Sequence, residues 1–208
     1  MKTVAIKRAA KVLTGGGTVV FPTETLYGLA AMATNKRAVG KVYAIKRRPR
    51  EKLLPVIVGS FAQAQKYFIF SRVELAVARR FWPGPLTLVL KTRSKKLAAA
   101  VGGDRVAVRY SANTVAARLA IYAGAPITAT SANISGKPGC FTIASVKRQF
   151  GRVIGGRSSA ARVDPDLFLN GGTLKRSLPS TIVRVRQGRI IVLREGKVPA
   201  RRITRNHI

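Results

Sequence analysis

Acidic residues are scarce in this sequence. Its 208 residues include 7 Asp and Glu against 39 Lys and Arg, which gives a formal net charge of +32. This balance is typical of proteins that contact nucleic acids, and it predicts nonspecific affinity for polyanions. The cations are spread along the chain, and no zinc-finger, zipper or RNP pattern is present, so charge alone identifies no groove-reading module. Deliberate supercharging of a more ordinary parent would give the same composition.

Cysteine and histidine are almost absent, with Cys140 and His207 as the single examples of each. One thiol cannot form an intramolecular disulfide, and one histidine cannot complete a Cys/His zinc site. We therefore expect no metal site built from protein side chains. No run approaches the roughly 18 apolar residues of a membrane span, and the N-terminus lacks a signal-peptide core. We expect a soluble, cytoplasmic protein that does not enter membranes.

The hydrophobic residues, 47% of the chain, alternate between helical and strand periods. The patterns predict helices at 5–13, 36–46, 72–82, 113–122 and 142–150, and strands at 18–21, 53–58, 86–90, 106–109, 127–130, 181–186 and 189–193. Ser71 and Glu74 have the spacing of a capping box. This order predicts a single α/β (mixed α+β) domain over 1–208, with three layers and a twisted, mixed parallel and antiparallel sheet flanked by helices.

Four stretches place small, polar and cationic residues at the ends of predicted strands. They are FPTETLYGL (21–29), KRRPREKLLP (46–55), TATSANISGKP (128–138) and PSTIVRV (179–185) with VLREG (192–196) behind it. Alternating cations in the second stretch can converge on a phosphate chain, and hydroxyls and amides in the third suit phosphate or adenine. A plain polar or basic turn is the alternative for each stretch taken alone. No Walker loop is present, so a nucleotide would be held differently.

Together with FWPGPLTLVL (81–90) and VAVRY (106–110), these stretches resemble the YrdC-type L-threonylcarbamoyl-AMP synthases in order and spacing, over nearly the whole chain. The resemblance is to the short, single-domain form and implies a YrdC-like fold. It implies a nucleotidyltransferase that condenses L-threonine, bicarbonate and ATP, with Mg²⁺, into threonylcarbamoyl-AMP and pyrophosphate. A separate threonylcarbamoyl-transferase complex would then modify tRNA beside the anticodon, forming N6-threonylcarbamoyladenosine.

The same resemblance implies roles for individual residues. The implied ATP-binding residues are Lys46, Arg48, Arg50, Lys52, Arg105, Ser131, Asn133 and Arg194. The implied threonine-binding residues are Thr23, Arg109 and Ser180, with Arg109 suited to a carboxylate. Lys46 and Arg48 would be catalytic, and we expect both to project into solvent-filled space, so that alanine at either position abolishes turnover and leaves the fold intact. Leu53 stands where the family usually has proline, which weakens the expectation for Lys52.

Two other functions fit parts of this pattern. The first is a nonenzymatic protein of the same fold that holds double-stranded RNA or tRNA on a basic concave face, a hypothesis that rests on charge alone. The second is a carbamoyl-adenylate module in hydrogenase maturation, which the absence of a larger multidomain context disfavours.

Overall fold

The computed structural model describes residues 1–150 and 164–204, so His207 lies outside the described residues. The helices are α1 (Thr3–Thr14), α2 (Lys36–Lys46), α3 (Phe61–Tyr67), α4 (Arg72–Phe81), α5 (Lys95–Val101), α6 (Thr114–Tyr122), α7 (Ile143–Phe150) and α8 (Ala200–Thr204). The strands are β1 (Val19–Pro22), β2 (Tyr27–Ala30), β3 (Val56–Val58), β4 (Phe68–Ile69), β5 (Leu86–Thr92), β6 (Arg105–Tyr110), β7 (Ile127–Thr128), β8 (Thr130–Ser131), β9 (Leu167–Phe168), β10 (Thr181–Arg186) and β11 (Arg189–Arg194).

These strands form two sheets, where the sequence predicted one. A four-stranded sheet has the order β8-β2-β1-β9, and a seven-stranded sheet has the order β11-β10-β5-β6-β3-β7, with β4 paired to β5. Both are mixed: β1 pairs antiparallel with β2 and parallel with β9, and β5 pairs antiparallel with β6 and parallel with β10. The predicted mixed α/β class is therefore confirmed.

The helices cover the apolar faces of the sheets. One face of the seven-stranded sheet packs against α4 and α5 through a buried cluster that includes Val77, Leu88, Leu97 and Val108. Other buried clusters place α2 and α7 beside β2, and α1 and α6 beside β1 and β3. The opposite face of β5, β6 and β10 is left uncovered by these clusters, and it forms part of the site described below.

Several predicted elements are confirmed. Helix α2 has the predicted bounds, and the capping box of α4 is formed: Glu74 N–H donates to Ser71 Oγ at 3.3 Å, and Ser71 N–H donates to Glu74 Oε2 at 2.7 Å. The β10–β11 hairpin turns at Gln187 and Gly188, both with positive φ. Such primed-type turns match the twist of the flanking strands.

Other elements were not predicted. The four residues of β2 are all buried and show no strand alternation, so only their pairing with β1 reveals the strand. No helix was predicted between 82 and 113, but Lys95 and Lys96 begin α5, where Ser94 Oγ accepts from Leu97 N–H at 3.3 Å. The predicted strand over 53–58 begins only at Val56. These differences share a cause, since seven or fewer residues carry too little periodicity to identify an element.

Strand β11 forms the edge of the seven-stranded sheet among the described strands. It carries two exposed apolar side chains, Ile191 at 42% and Leu193 at 55% exposure. Arg189 and Arg194 stand at its two ends. The strand thus combines an apolar surface with a cation at each end.

Lys46, the last residue of α2, is buried, with 1% of its surface exposed. The expectation that it projects into solvent is therefore wrong. Its Nζ donates hydrogen bonds to the carbonyls of Ser131 and Asn133, at 2.7 Å for Asn133. The main-chain carbonyl of Lys46 in turn accepts from Ser135 N–H at 2.8 Å. Side chain and main chain of one residue thus join the end of α2 to β8 and the loop after it.

We expect Lys46→Met to lower the free energy of unfolding by about 3 kcal/mol. The change leaves two buried carbonyls without a donor, and each such group costs about 1–3 kcal/mol. Urea unfolding followed by circular dichroism measures the effect. Lys36→Met, which removes an exposed lysine from the same helix, is the matched control. Equal stability of the two variants would contradict the structural role of Lys46.

The contribution of Lys46 should also depend on pH. Burial, with a smaller effect from the charge of Arg48, lowers the pKa of Lys46 to about 7. An unfolded lysine holds its proton up to about pH 10, so between these values the unfolded chain binds more protons and the free energy of unfolding rises with pH. We expect the stability difference between wild type and Lys46→Met to grow from about pH 7 to about pH 9. A constant difference would show that the folded protein keeps the ammonium charged.

Candidate active site

A cavity of about 430 Å³ lies between the two sheets. Its wall combines the β1–β2 turn and β8 from the four-stranded sheet with β5, β6, β10 and β11 from the seven-stranded sheet. Seven of the sequence-predicted site residues line it: Thr23, Arg48, Arg105, Arg109, Ser131, Ser180 and Arg194. Residues far apart in the chain are therefore brought to one cavity, as the motif analysis requires.

Four arginines from three separate segments of the chain give the cavity its positive charge. Arg109 is buried on β6 and Arg105 is exposed on the same strand, while Arg48 comes from the loop after α2 and Arg194 from the end of β11. Burial lowers the pKa of Arg194 below its ordinary value, and the nearby charge of Arg109 lowers it further. The two guanidinium groups thus repel each other, and an anion between them would relieve the repulsion.

Arg109 has an acidic partner behind the cavity wall. Its Nη1 lies 3.6 Å from Glu24 Oε1, and the other carboxylate oxygen of Glu24 accepts a hydrogen bond from the Ser111 hydroxyl. Burial lowers the pKa of Arg109, and the charge of Glu24 opposes that effect. Glu24 therefore favours the charged form of a buried guanidinium that faces the cavity.

Hydroxyl groups line the cavity close to Arg109. Thr23 Oγ1 donates to the Leu26 carbonyl at 2.7 Å and accepts from the main-chain N–H groups of Thr25 and Leu26, which fixes the β1–β2 turn. Ser180 Oγ lies 2.8 Å from Thr87 Oγ1, a neighbour across β10 and β5.

Arg194 is held against Ser180, the residue directly before β10. Its Nη2 donates to the Ser180 carbonyl at 2.7 Å and to Ser180 Oγ at 3.2 Å. Gly196, two residues after Arg194, packs against the main chain before Ser180. A Cβ at Gly196 would lie 2.2 Å from the Pro179 carbonyl oxygen. A side chain at this position would force apart the two segments that place Ser180 and Arg194 together.

Arg48 lies at the cavity mouth, where it is half-buried. Its Nε donates to the Lys52 carbonyl at 2.8 Å and its Nη2 to the Leu53 carbonyl at 3.0 Å, so the loop is folded around the guanidinium. Lys52 contributes its carbonyl to this arrangement, while its side chain is exposed and does not line the cavity.

Lys46, Arg50 and Asn133 also stand outside the cavity lining. Arg50 packs over the Tyr43 ring, with 5.0 Å between the guanidinium carbon and the ring centre. Asn133 is buried and donates from Nδ2 to the carbonyls of Ile134 and Lys137, while its Oδ1 has no hydrogen-bond partner among the described residues. Lys46 and Asn133 thus support the Ser131 segment from behind.

Sequence reasoning assigned no binding role to three residues of this site. Thr25 and Thr87 line the cavity, and Glu24 pairs with Arg109. Thr87 had a usable signal, since it is a lone hydroxyl in the apolar run Leu86–Leu90. The ion pair of Glu24 with Arg109 left no signal in the sequence, because 85 positions separate the two residues in the chain.

The described residues hold no cluster of three His, Cys, Asp or Glu side chains placed to bind a metal ion. In residues 1–150 and 164–204 there is likewise no helix with the length and apolar character to cross a membrane. Arginines, hydroxyl groups and main-chain groups line the cavity, and this combination suits an anionic ligand.

Comparison with known proteins gives the same motifs a family context. The Sua5/YciO/YrdC family model, described as telomere recombination, matches residues 11–196. A putative threonylcarbamoyl-AMP synthase of Methanocaldococcus jannaschii is 33% identical over 195 residues, which cover 94% of this chain and 87% of that protein. The threonylcarbamoyl-AMP synthase of Neisseria meningitidis serogroup A is 36% identical over 178 residues, which cover 83% of this chain and 94% of that protein.

Solved structures show the same fold. The crystal structure of Pyrococcus abyssi Sua5 complexed with L-threonine has a TM-score of 0.83 and 34% identity, covering 95% of this chain but only 56% of the Pyrococcus chain. Escherichia coli YciO has a TM-score of 0.79 at 21% identity, which supports the fold alone. Because the family model spans most of the sequence and its curated relatives are named as synthases, this chain belongs to the Sua5/YciO/YrdC family of enzymes.

Proposed function

We propose that this protein is an L-threonylcarbamoyl-AMP synthase, which condenses L-threonine, bicarbonate and ATP into threonylcarbamoyl-AMP with release of pyrophosphate. The observation that carries the proposal is the convergence of four arginines and several hydroxyl groups on one cavity between the sheets. Attack of a carbamate oxygen on the α-phosphorus brings two anions together, so a cation-lined cavity lowers the barrier by stabilising charge. Positioning supplies the rest, and the reaction requires no histidine or cysteine nucleophile.

The nucleotide side of the cavity is assigned to Arg48, Arg105, Arg194 and Ser131. Arginine forks bind phosphate oxygens with two parallel hydrogen bonds, and Arg48 is already fixed in place by two carbonyls. Lys46 and Asn133 act through main-chain and loop geometry: Lys46 holds the carbonyls of Ser131 and Asn133, and so positions Ser131. Arg50 and Lys52 would reach ATP only if the 47–55 loop moved on binding.

The threonine side is assigned to Thr23, Arg109 and Ser180. The buried guanidinium of Arg109 suits the amino acid carboxylate, and the hydroxyls of Thr23 and Ser180 line the same cavity. The Pyrococcus abyssi relative has been crystallised with L-threonine, which supports this choice of amino acid.

Mg²⁺ is proposed to enter as the ATP complex. The described residues offer no carboxylate cluster, and Glu24, the acid beside the cavity, is already paired with Arg109. Mg²⁺ keeps several water ligands and is commonly held by substrate phosphates, so the triphosphate would supply most of the ligands that are not water. The product would pass to a separate threonylcarbamoyl-transferase complex that modifies tRNA beside the anticodon in the cytoplasm.

A nonenzymatic RNA-binding protein remains the second candidate, because a net charge of +32 favours polyanions. Binding RNA by charge alone, however, would not need a buried Arg109–Glu24 pair or paired hydroxyls in a cavity. Incubation with ATP, bicarbonate and L-threonine separates the two. The synthase forms pyrophosphate and threonylcarbamoyl-AMP only when threonine is present. An RNA-binding protein forms neither product, and its affinity for RNA falls steeply as salt is added.

We expect Arg48→Ala to lower the rate of threonylcarbamoyl-AMP formation by about 100-fold or more, the usual effect of removing one group that stabilises transition-state charge. Arg37→Ala removes an exposed cation from α2 and should retain the wild-type rate. Chromatographic quantification of the adenylate measures both. A matching loss in the two variants would indicate a general effect of charge and would argue against a specific role for Arg48.

We expect Arg109→Lys to raise the KM for threonine by about 10- to 100-fold, because lysine keeps the charge but loses the two-pronged fork. The KM for ATP should change little. Steady-state kinetics with each substrate varied in turn gives both constants. An equal rise in both KM values would place Arg109 outside the amino acid subsite.

A further inference from the structure

Glu24 occupies a position between the two sheets. It lies in the β1–β2 turn between Thr23 and Thr25, both of which line the cavity, while Arg109 and Ser111 belong to β6 and the residue following it. The side chain of Glu24 is 15% exposed and does not itself line the cavity. It therefore contacts Arg109 from behind the wall.

The two oxygens of the Glu24 carboxylate differ in their contacts: Oε2 accepts a hydrogen bond, whereas Oε1 faces Arg109 at ion-pair distance and has no hydrogen-bond partner among the described residues. Oε1 lies 3.6 Å from Arg109 Nη1, and Oε2 accepts from the hydroxyl of Ser111. Ser111 Oγ in turn accepts from the main-chain N–H of Asn113, the N-cap of α6, at 3.2 Å. The carboxylate is thus oriented by a chain of hydrogen bonds that starts at the end of a helix.

Arg109 needs this partner because its own side chain is only 9% exposed. A buried guanidinium without a counterion is strongly disfavoured, and burial already lowers its pKa. Among the described residues, no carbonyl or hydroxyl accepts a hydrogen bond from Arg109, so Glu24 is its one close anionic neighbour there. Arginine has five N–H donors, and those not facing Glu24 remain for a ligand.

We propose that Glu24 is a positioning residue: its carboxylate holds the Arg109 guanidinium in place and aimed into the cavity, and it thereby sets the affinity for the amino acid and not for the nucleotide. This inference rests on the proposed function, in which Arg109 binds the threonine carboxylate. Glu24 touches no substrate and acts through Arg109. Its neutral isostere should therefore weaken threonine binding selectively.

The test is isothermal titration of L-threonine, with and without ATP, into wild type, Glu24→Gln, Arg109→Gln and the double variant. We expect Glu24→Gln to weaken threonine binding by about 10- to 100-fold, within the range of coupling between residues in contact, with ATP affinity unchanged. Because Glu24 acts through Arg109, the double variant should bind threonine no more weakly than Arg109→Gln alone. Wild-type threonine affinity in Glu24→Gln, or effects that add in the double variant, would overturn the inference.

Two further variants complete the design. Glu51→Gln removes the same charge from an exposed loop residue and should bind threonine as wild type does, which excludes a general effect of net charge. If Glu24→Gln does not fold, Ser111→Ala tests the same point, since it removes only the hydroxyl that orients the carboxylate; unchanged threonine affinity in that variant overturns the inference. A wild type that binds no threonine would overturn the proposed function as well, whereas unaltered binding in Glu24→Gln overturns only the role of Glu24.

Discussion

The ion pair between Glu24 and Arg109 joins two sheets that share no strand. Glu24 belongs to the turn of the four-stranded sheet, and Arg109 lies within the seven-stranded sheet, so the pair links the two sheets at the cavity wall. Thr23 and Thr25, which flank Glu24, are placed by the same contact. The position of the most buried arginine of the cavity thus depends on this pair.

The few acids of this chain are concentrated in such structural tasks. Glu74 completes the capping box of α4, Asp166 accepts from the main chain and hydroxyl of Thr18, and Glu195 accepts from Ala200 N–H at the start of α8. With Glu24, four of the seven acids therefore hold defined contacts. A surface of very high positive charge is compatible with this fold because the acids that the fold uses are present.

The sequence was informative where a signal is local. The Ser71–Glu74 cap, the bounds of α2 and the strand-end hydroxyls at Ser131 and Ser180 could be identified because short-range spacing defines them. Family motifs then indicated which strand ends meet. They could not indicate that Lys46 is buried, because in the sequence it stands among solvated cations and its partners lie 85 and 87 positions away.

The division into two sheets was out of reach for the same reason. It depends on pairings such as Val19 with Leu167 and Leu29 with Thr130, which connect distant segments. Strand β2 is too short to show a period, and Glu24 reads as an ordinary turn acid until Arg109 is brought beside it. Local pattern therefore identified seven residues that line the cavity, while Glu24, which orients one of them, emerged only from tertiary contacts.

The edge of β11, which no other strand in residues 1–150 and 164–204 pairs with, has a consequence for how molecules of this protein meet. An unpaired strand edge is a template for adding a strand from another copy, and burial of the exposed Ile191 and Leu193 side chains would stabilise that contact. Arg189 and Arg194 oppose it, since two such edges would bring like charges together. At low ionic strength this repulsion extends well beyond contact distance, and at physiological salt it fades within about 8 Å. Any pairing of two copies through this strand would consequently strengthen as the salt concentration of the medium rises.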